Sequence, residues 1–237
     1  MQKFLRSLFI GTYNYSVRDL NAIQKCLYLN KSKNTVYAGA QARMVSLKKN
    51  DPAHREIYNW LAGEVYYYLN NPHIETRQTF DDWHQKICES FIKRCANAGI
   101  EVKYGMAQKF LNLLMKYVYC FEDANTLHPS KFAYCHFILD GYTYYSPLQS
   151  YVNDKNYGTY TLLTPFYARQ VFAAPASFTC WSKLSYEEYI NIQGDIRVYL
   201  SEIPLTYNNV SHLDSNRLAT VTPAYALSPF ETEFFVW

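Results

Sequence analysis

The sequence predicts a mainly α-helical fold with a few short strands at most. Apolar residues recur at three- and four-residue spacing along several segments, of which residues 105–120 are the clearest. Polar cap residues precede these segments, and Gly or Asn-Pro follows them, as at the two ends of helices. Because 49% of the 237 residues are hydrophobic, the chain can bury a sizeable core, and we expect a single domain over residues 1–237.

Six helices follow from this periodicity, and most of them begin at a recognisable cap. In chain order they span residues 16–28, 36–48, 52–69, 79–98, 105–120 and 185–201. Asp51-Pro52 places an acid at a cap and a proline in the first turn, while Ser185 with Glu188 forms a capping box. Ser16 and Thr79–Asp82 are the predicted starts of two further helices. Residues 142–145 and 157–163 have strand-like composition, but their alternation is too poor to predict a sheet.

The helix predicted over residues 105–120 is the centre of the proposed chemistry. Gly105 can form a tight turn at the helix start, where free backbone N–H groups attract anions such as phosphate. Lys109 lies one turn further on, and Asp140 follows three apolar residues and precedes a glycine. A lysine and an aspartate beside a phosphate-binding turn can act on a sugar–phosphate chain.

Two segments carry a resemblance to the helix–hairpin–helix DNA glycosylase superfamily, over roughly residues 79–150. Gly105-Met106-Ala107-Gln108-Lys109 resembles the family's G-[VI]-G-x-K motif, and Phe137-Ile138-Leu139-Asp140 resembles its apolar-Pro-apolar-Asp segment. The resemblance implies a two-lobed helical fold with a cleft, and an enzyme that flips and excises a modified base. Asp140 would stabilise the oxocarbenium-like transition state. Lys109 would be a Schiff-base nucleophile if burial lowers its pKa.

Further residues receive roles through the same resemblance. The expected DNA-backbone contacts are Gly105, Ala107, Gln108 and Lys103. The expected base pocket comprises His136, Tyr142 and Trp181, of which the aromatic residues would stack on the base. The partner would be double-stranded DNA bound by a monomer, and modified bases of phage DNA are among the substrates that the resemblance permits.

Composition sets limits on cofactor and compartment. The six cysteines form no CxxC pair, and neither Cys nor His shows ligand spacing, so we expect no metal and no other cofactor. The first residues have too short an apolar run for a signal peptide, and no stretch reaches the length of a membrane span. We therefore expect a cytoplasmic protein without membrane attachment. The net charge of +3 neither favours nor excludes DNA.

Two other functional classes remain open from the sequence. Arg77 and His84 resemble the arginine–histidine motif of HEPN-type ribonucleases, which are dimers of helical bundles. Alternatively, the 24 tyrosines and 14 phenylalanines supply aromatic surface with which a non-enzymatic protein grips nucleic acid or nucleotides.

Overall fold

The structure, a computed structural model, describes residues 9–10, 13–27, 51–124, 129–139 and 181–202. The chain divides into two compact units, Met1–Cys135 and His136–Trp237. The described residues are mainly helical and include no strand, which confirms the predicted mainly-α class. The helices of the first unit are α1 (Leu20–Leu27), α2 (Pro52–Asn70), α3 (Arg77–Asn97), α4 (Tyr104–Tyr119) and α5 (Pro129–Ala133). In the second unit, a 3₁₀ turn at Trp181–Lys183 precedes α6 (Tyr186–Glu202).

Two helices begin at the caps that the sequence predicted. The Asp51 carboxylate accepts a hydrogen bond from the backbone N–H of Ala53 at 3.0 Å, and Pro52 is the first residue of α2. Before α6, the Ser185 N–H donates to Glu188 Oε2 at 2.8 Å, and the Glu188 N–H donates to Ser185 Oγ at 3.2 Å. Both ends are fixed by residues close in sequence, and this is why local patterns located them.

Two other helix starts differ from the prediction. The capping box of α3 joins Thr76 and Thr79, so the helix begins at Arg77 and not at the predicted Thr79–Asp82. The first helix begins at Leu20 and not at Ser16, whose hydroxyl donates to Asp123 Oδ2 at 2.5 Å. The predicted cap is therefore used in a contact with the chain that follows α4.

The helix α4 is buried on all sides. Fourteen of its sixteen residues are buried, and the two that are not are Met106 and Lys109. The Phe110 ring lies 5.3 Å from the ring of Phe91 on α3 and 5.7 Å from that of Tyr58 on α2. The sequence pattern predicted one apolar face, whereas neighbouring chain covers the whole circumference.

Several sequence predictions fall outside the described residues, namely the helix over 36–48 and the strand-like segments at 142–145 and 157–163. The chain that follows α4 contains the short helix α5. Within the described ranges, no helix is both long and apolar enough to cross a membrane. The five described cysteines are reduced and buried, as expected for small apolar side chains: Cys26, Cys88, Cys95, Cys120 and Cys135.

Candidate functional site

The helices α3 and α4 form an antiparallel hairpin. His84 near the start of α3 contacts Asn112 on α4, while Phe91 further along α3 contacts Phe110, which lies earlier on α4. Six residues join the helices, and Gly99 among them has a φ of +74°. That conformation favours glycine, so Gly99 ends α3 and turns the chain toward α4.

Gly105 does not form the turn that the sequence predicted for it. It is the second residue of α4, it is buried, and its carbonyl accepts a hydrogen bond from Gln108 Nε2 at 2.7 Å. The helix instead begins after Lys103, whose carbonyl accepts from the N–H groups of Met106 and Ala107 at 3.0 and 3.1 Å. Because the helix starts before Gly105, the turn of the hairpin lies earlier in the chain, at Gly99.

Four residues were predicted to contact the DNA backbone, and of these Lys103 is exposed while Gly105, Ala107 and Gln108 are buried. The Lys103 ammonium lies 2.9 Å from Glu101 Oε1, and this hydrogen bond lowers the pKa of the Glu101 carboxyl. Ala107 is 1% exposed and Gln108 is fully buried, so both side chains face the interior and not the surface that a phosphate would reach. Lys109 is half-buried, and it is the one cationic residue in the first two turns of α4.

A buried polar network fills the interface between α3 and α4. His84 Nε2 lies 3.1 Å from Asn112 Oδ1, and Asn112 Nδ2 donates to Gln108 Oε1 at 3.1 Å. Tyr104 Oη lies 3.5 Å from His84 Nδ1, and Cys88 Sγ lies 3.8 Å from the same nitrogen. Sequence reasoning missed this network, although polar residues at 104, 108 and 112 recur every four positions within an apolar helix.

The two residues of the ribonuclease-like motif lie in different environments. Arg77 is the exposed first residue of α3, whereas His84 is only 1% exposed and belongs to the buried network. A general acid or base must reach the reacting group directly or through one water. The buried position of His84 therefore does not favour the ribonuclease hypothesis.

In the second unit, α6 contacts a short segment without regular secondary structure, residues 136–139. The side chains of residues 136–139 are fully buried. The Phe137 N–H donates to Gln193 Oε1 at 3.0 Å, and Gln193 Nε2 donates to the Phe137 carbonyl at 2.7 Å. His136 Nδ1 lies 2.8 Å from Tyr189 Oη. Gln193, which sequence reasoning missed, thus occupies both backbone hydrogen-bonding groups of one residue.

The remaining predicted site residues are distributed as follows. His136 is packed against Tyr189 inside the second unit, and Trp181 is a half-buried residue at the start of the 3₁₀ turn. Asp140 and Tyr142 lie outside the described residues. Among the residues that are described, no group of three or more His, Cys, Asp or Glu side chains could hold a metal ion.

A buried cation, Lys131, holds the connection between α2 and α3. Lys131 on α5 is 7% exposed, and its ammonium donates to the carbonyls of Asn71 and Ile74 at 2.5 and 2.6 Å. The Tyr68 hydroxyl in turn donates to the Lys131 carbonyl at 2.6 Å. Desolvation lowers the pKa of Lys131, against an opposing effect of Glu75. This lysine has a structural role, since both of its acceptors are backbone carbonyls beyond the end of α2.

No protein-family model matches this chain, and neither a curated protein nor a solved structure matches it.

Proposed function

We propose that this protein is a DNA glycosylase-like enzyme that flips a modified base out of the duplex and excises it. The observation that carries the proposal is the α3–α4 hairpin, which turns at Gly99 and presents Lys109 near the start of its second helix. The resemblance of residues 105–109 to the glycosylase motif implies a helical hairpin with a lysine early in its second helix, and these two features support the proposal, although the turn lies at Gly99 and not at Gly105.

The proposed reaction divides the chemistry between two residues. Breaking the glycosidic bond develops positive charge on the sugar, and the Asp140 carboxylate would stabilise that charge. The neutral Lys109 amine would attack C1′ as the base leaves with the bond electrons and takes up the proton that the amine releases. The C1′–O4′ bond would then break, O4′ would take a proton from solvent, and the C1′=N bond of a protonated Schiff base would form. Lys103 would contact the phosphate backbone, since its ammonium is exposed at the same helix start.

The test is excision from DNA that carries defined modified bases. The protein is incubated with duplexes from a broad panel, including modified phage DNA, and abasic sites are converted to breaks by hot alkali. We expect breaks at one class of base, and their loss in Asp140→Asn. Absence of breaks across the whole panel would refute the glycosylase.

Two further assays on the same purified variants test the other two functional classes, the ribonuclease and the non-enzymatic binding protein. RNA degradation that is lost in His84→Ala would support the ribonuclease in place of the glycosylase. Tight DNA binding without excision, unchanged in Asp140→Asn, would support a binding protein. Each result is a different observable, so one set of purified variants separates all three functions.

A further inference from the structure

The segment before α1 contacts the last turn of α4. Its described residues, 9–10 and 13–17, are here called the cover. The Phe9 ring lies 5.5 Å from the ring of Tyr117 and meets it edge to face. Lys116 Nζ lies 5.2 Å from the centre of the same Phe9 ring, and Lys116 is fully buried. The cover therefore packs over two successive residues of α4.

Asp123, three residues beyond the C-cap of α4, holds the cover in place. Its carboxylate accepts from the Ser16 hydroxyl at 2.5 Å and from the Val17 N–H at 2.9 Å. The Tyr15 carbonyl accepts from the Glu122 N–H at 3.3 Å. Asp123, Ser16 and Tyr15 are half-buried, so water reaches this edge of the cover. Because water can replace hydrogen bonds at a solvated edge at a small net cost, this is where the cover can open.

The Cys120 thiol lies beside Lys116 under the same contacts. Cys120 follows Lys116 by four residues and therefore lies on the same face of the helix, and its thiol donates to the Lys116 carbonyl at 3.4 Å. The next residue, Phe121, has its ring 5.3 Å from that of Tyr15 in the cover. Burial raises the pKa of the Cys120 thiol to about 12, against an opposing effect of the Lys116 charge. An amine and a thiol that the proposed reaction does not use thus lie together beneath the cover.

We propose that the cover is a releasable element that controls the access of solvent and electrophiles to Lys116 and Cys120, and that Asp123 holds it closed. The inference does not depend on the proposed function, because it involves neither DNA nor base excision. In the closed form Lys116 and Cys120 are both fully buried. When the contacts of Asp123 break, the cover separates from the end of α4, and the amine and the thiol become accessible together. Such a local opening costs less free energy than unfolding of the whole unit.

Thiol alkylation in mildly alkaline buffer measures this opening in the wild-type protein. Iodoacetamide forms a bond to the thiolate sulfur and releases iodide, and mass spectrometry of peptides gives the rate at each cysteine. Cys120 should react faster than Cys88, because Cys88 is buried between α3 and α4 beside His84 and not under the cover. Equal rates at the two thiols would overturn the inference, since they would show that only unfolding of the whole unit exposes Cys120.

Two variants weaken the hold of Asp123 to different extents. Asp123→Ala removes both hydrogen bonds and should accelerate alkylation of Cys120 about tenfold to a hundredfold, with the rate at Cys88 unchanged. Ser16→Ala removes one hydroxyl, so its effect should be smaller, and it provides the test if Asp123→Ala does not fold. Asp82→Ala is the matched control, because Asp82 is an exposed acid whose partner lies on the same helix, and both rates should equal those of the wild type. A parallel rise at Cys120 and Cys88 would overturn the role of Asp123.

Acetylation of amines supplies a second readout of the same opening. Acetic anhydride transfers an acetyl group to a neutral amine and releases acetate, so Lys116 should be acetylated faster in Asp123→Ala, by a factor similar to that for Cys120. Lys131 is the control amine, because it is also buried but is held by the chain between α2 and α3. An equal rise at Lys131 would overturn the inference. So would an unchanged rate at Lys116 while Cys120 reacts faster, because one cover would then not shield both groups.

Discussion

His84 Nε2 lies 3.1 Å from Asn112 Oδ1, and this hydrogen bond fixes the tautomer of the buried histidine. The Asn112 oxygen can only accept, because its Nδ2 group donates to Gln108. Nε2 of His84 therefore carries the proton, and a neutral His84 offers Nδ1 as an acceptor to Tyr104 and Cys88. The amide of Gln108 continues the chain of donors to the carbonyl of Gly105.

Replacing Asn112 should destabilise the protein strongly. Asn112→Leu removes the acceptor of the His84 N–H and the donor to the Gln108 oxygen, and a buried polar group that loses its hydrogen bond costs about 1–3 kcal/mol. The free energy of unfolding in urea should therefore fall by at least about 2 kcal/mol, whereas Asn59→Leu on the exposed face of α2 should change it by about 0.5 kcal/mol or less. Equal effects of the two variants would contradict the network.

Two glycines should respond to alanine in opposite directions. A Cβ at Gly63 or Gly99 would meet no atom within 4 Å, so steric crowding does not distinguish them. Gly63 lies inside α2, where Gly63→Ala should stabilise the protein by about 0.5–1 kcal/mol. Gly99 has a φ of +74°, so Gly99→Ala should cost about 1–2 kcal/mol. Thermal unfolding of both variants tests this, and shifts of the same sign would contradict the role of Gly99 as the turn.

The buried thiols should make the fold sensitive to alkali. Burial raises the pKa of Cys95 and Cys120 to about 12 from their ordinary value of 9.0, and it also raises the pKa of the other three described thiols. Between these values the unfolded chain loses protons that the folded chain keeps, so stability falls as pH rises above about 9. Each thiol contributes a slope of about 1.4 kcal/mol per pH unit.

Cys120→Ala isolates one of these contributions. Stability is measured by urea unfolding between pH 8 and pH 10.5 under reducing conditions, and its slope against pH is compared with that of the wild type. The slope should be smaller in the variant, by up to about 1.4 kcal/mol per pH unit above pH 9. The cavity that the substitution leaves lowers the free energy of unfolding equally at every pH, so it does not change the slope. Identical slopes would show that Cys120 does not titrate on unfolding.

The sequence located those parts of the fold that local interactions determine. Asp51-Pro52 and the Ser185–Glu188 box act within one helical turn, and each lies where it was predicted. Ser16 was misassigned as a helix cap: its hydroxyl donates to Asp123, more than a hundred positions along the chain, and accepts from the Arg18 N–H at 3.1 Å. The helix starts instead after Asp19, whose carboxylate accepts from the Asn21 N–H at 2.8 Å and whose carbonyl accepts from the N–H groups of Ala22 and Ile23.

At the candidate site, too, the sequence predicted what local interactions determine and missed what distant contacts determine. The position of Lys109 in the second turn of α4 followed from helical periodicity alone. The burial of Gln108 did not, because a helical pattern identifies one apolar face and does not show how many neighbours cover the others. The role of Gln193 was also inaccessible, since its partner Phe137 is 56 residues away. Polar residues on buried helices are therefore the places where sequence reasoning on this chain was weakest.

Borohydride trapping tests Lys109 as the amine nucleophile. Reduction of a Schiff base links the protein to DNA covalently, so Lys109→Ala should abolish the adduct if this amine attacks C1′. Lys103→Ala is the matched control, because Lys103 lies at the same helix start but is exposed and paired with Glu101. It should weaken DNA binding and still form the adduct at saturating DNA. An adduct that persists in Lys109→Ala would refute this role, and peptide mapping would then determine whether Lys116, fully buried two turns further along α4, is the linked amine.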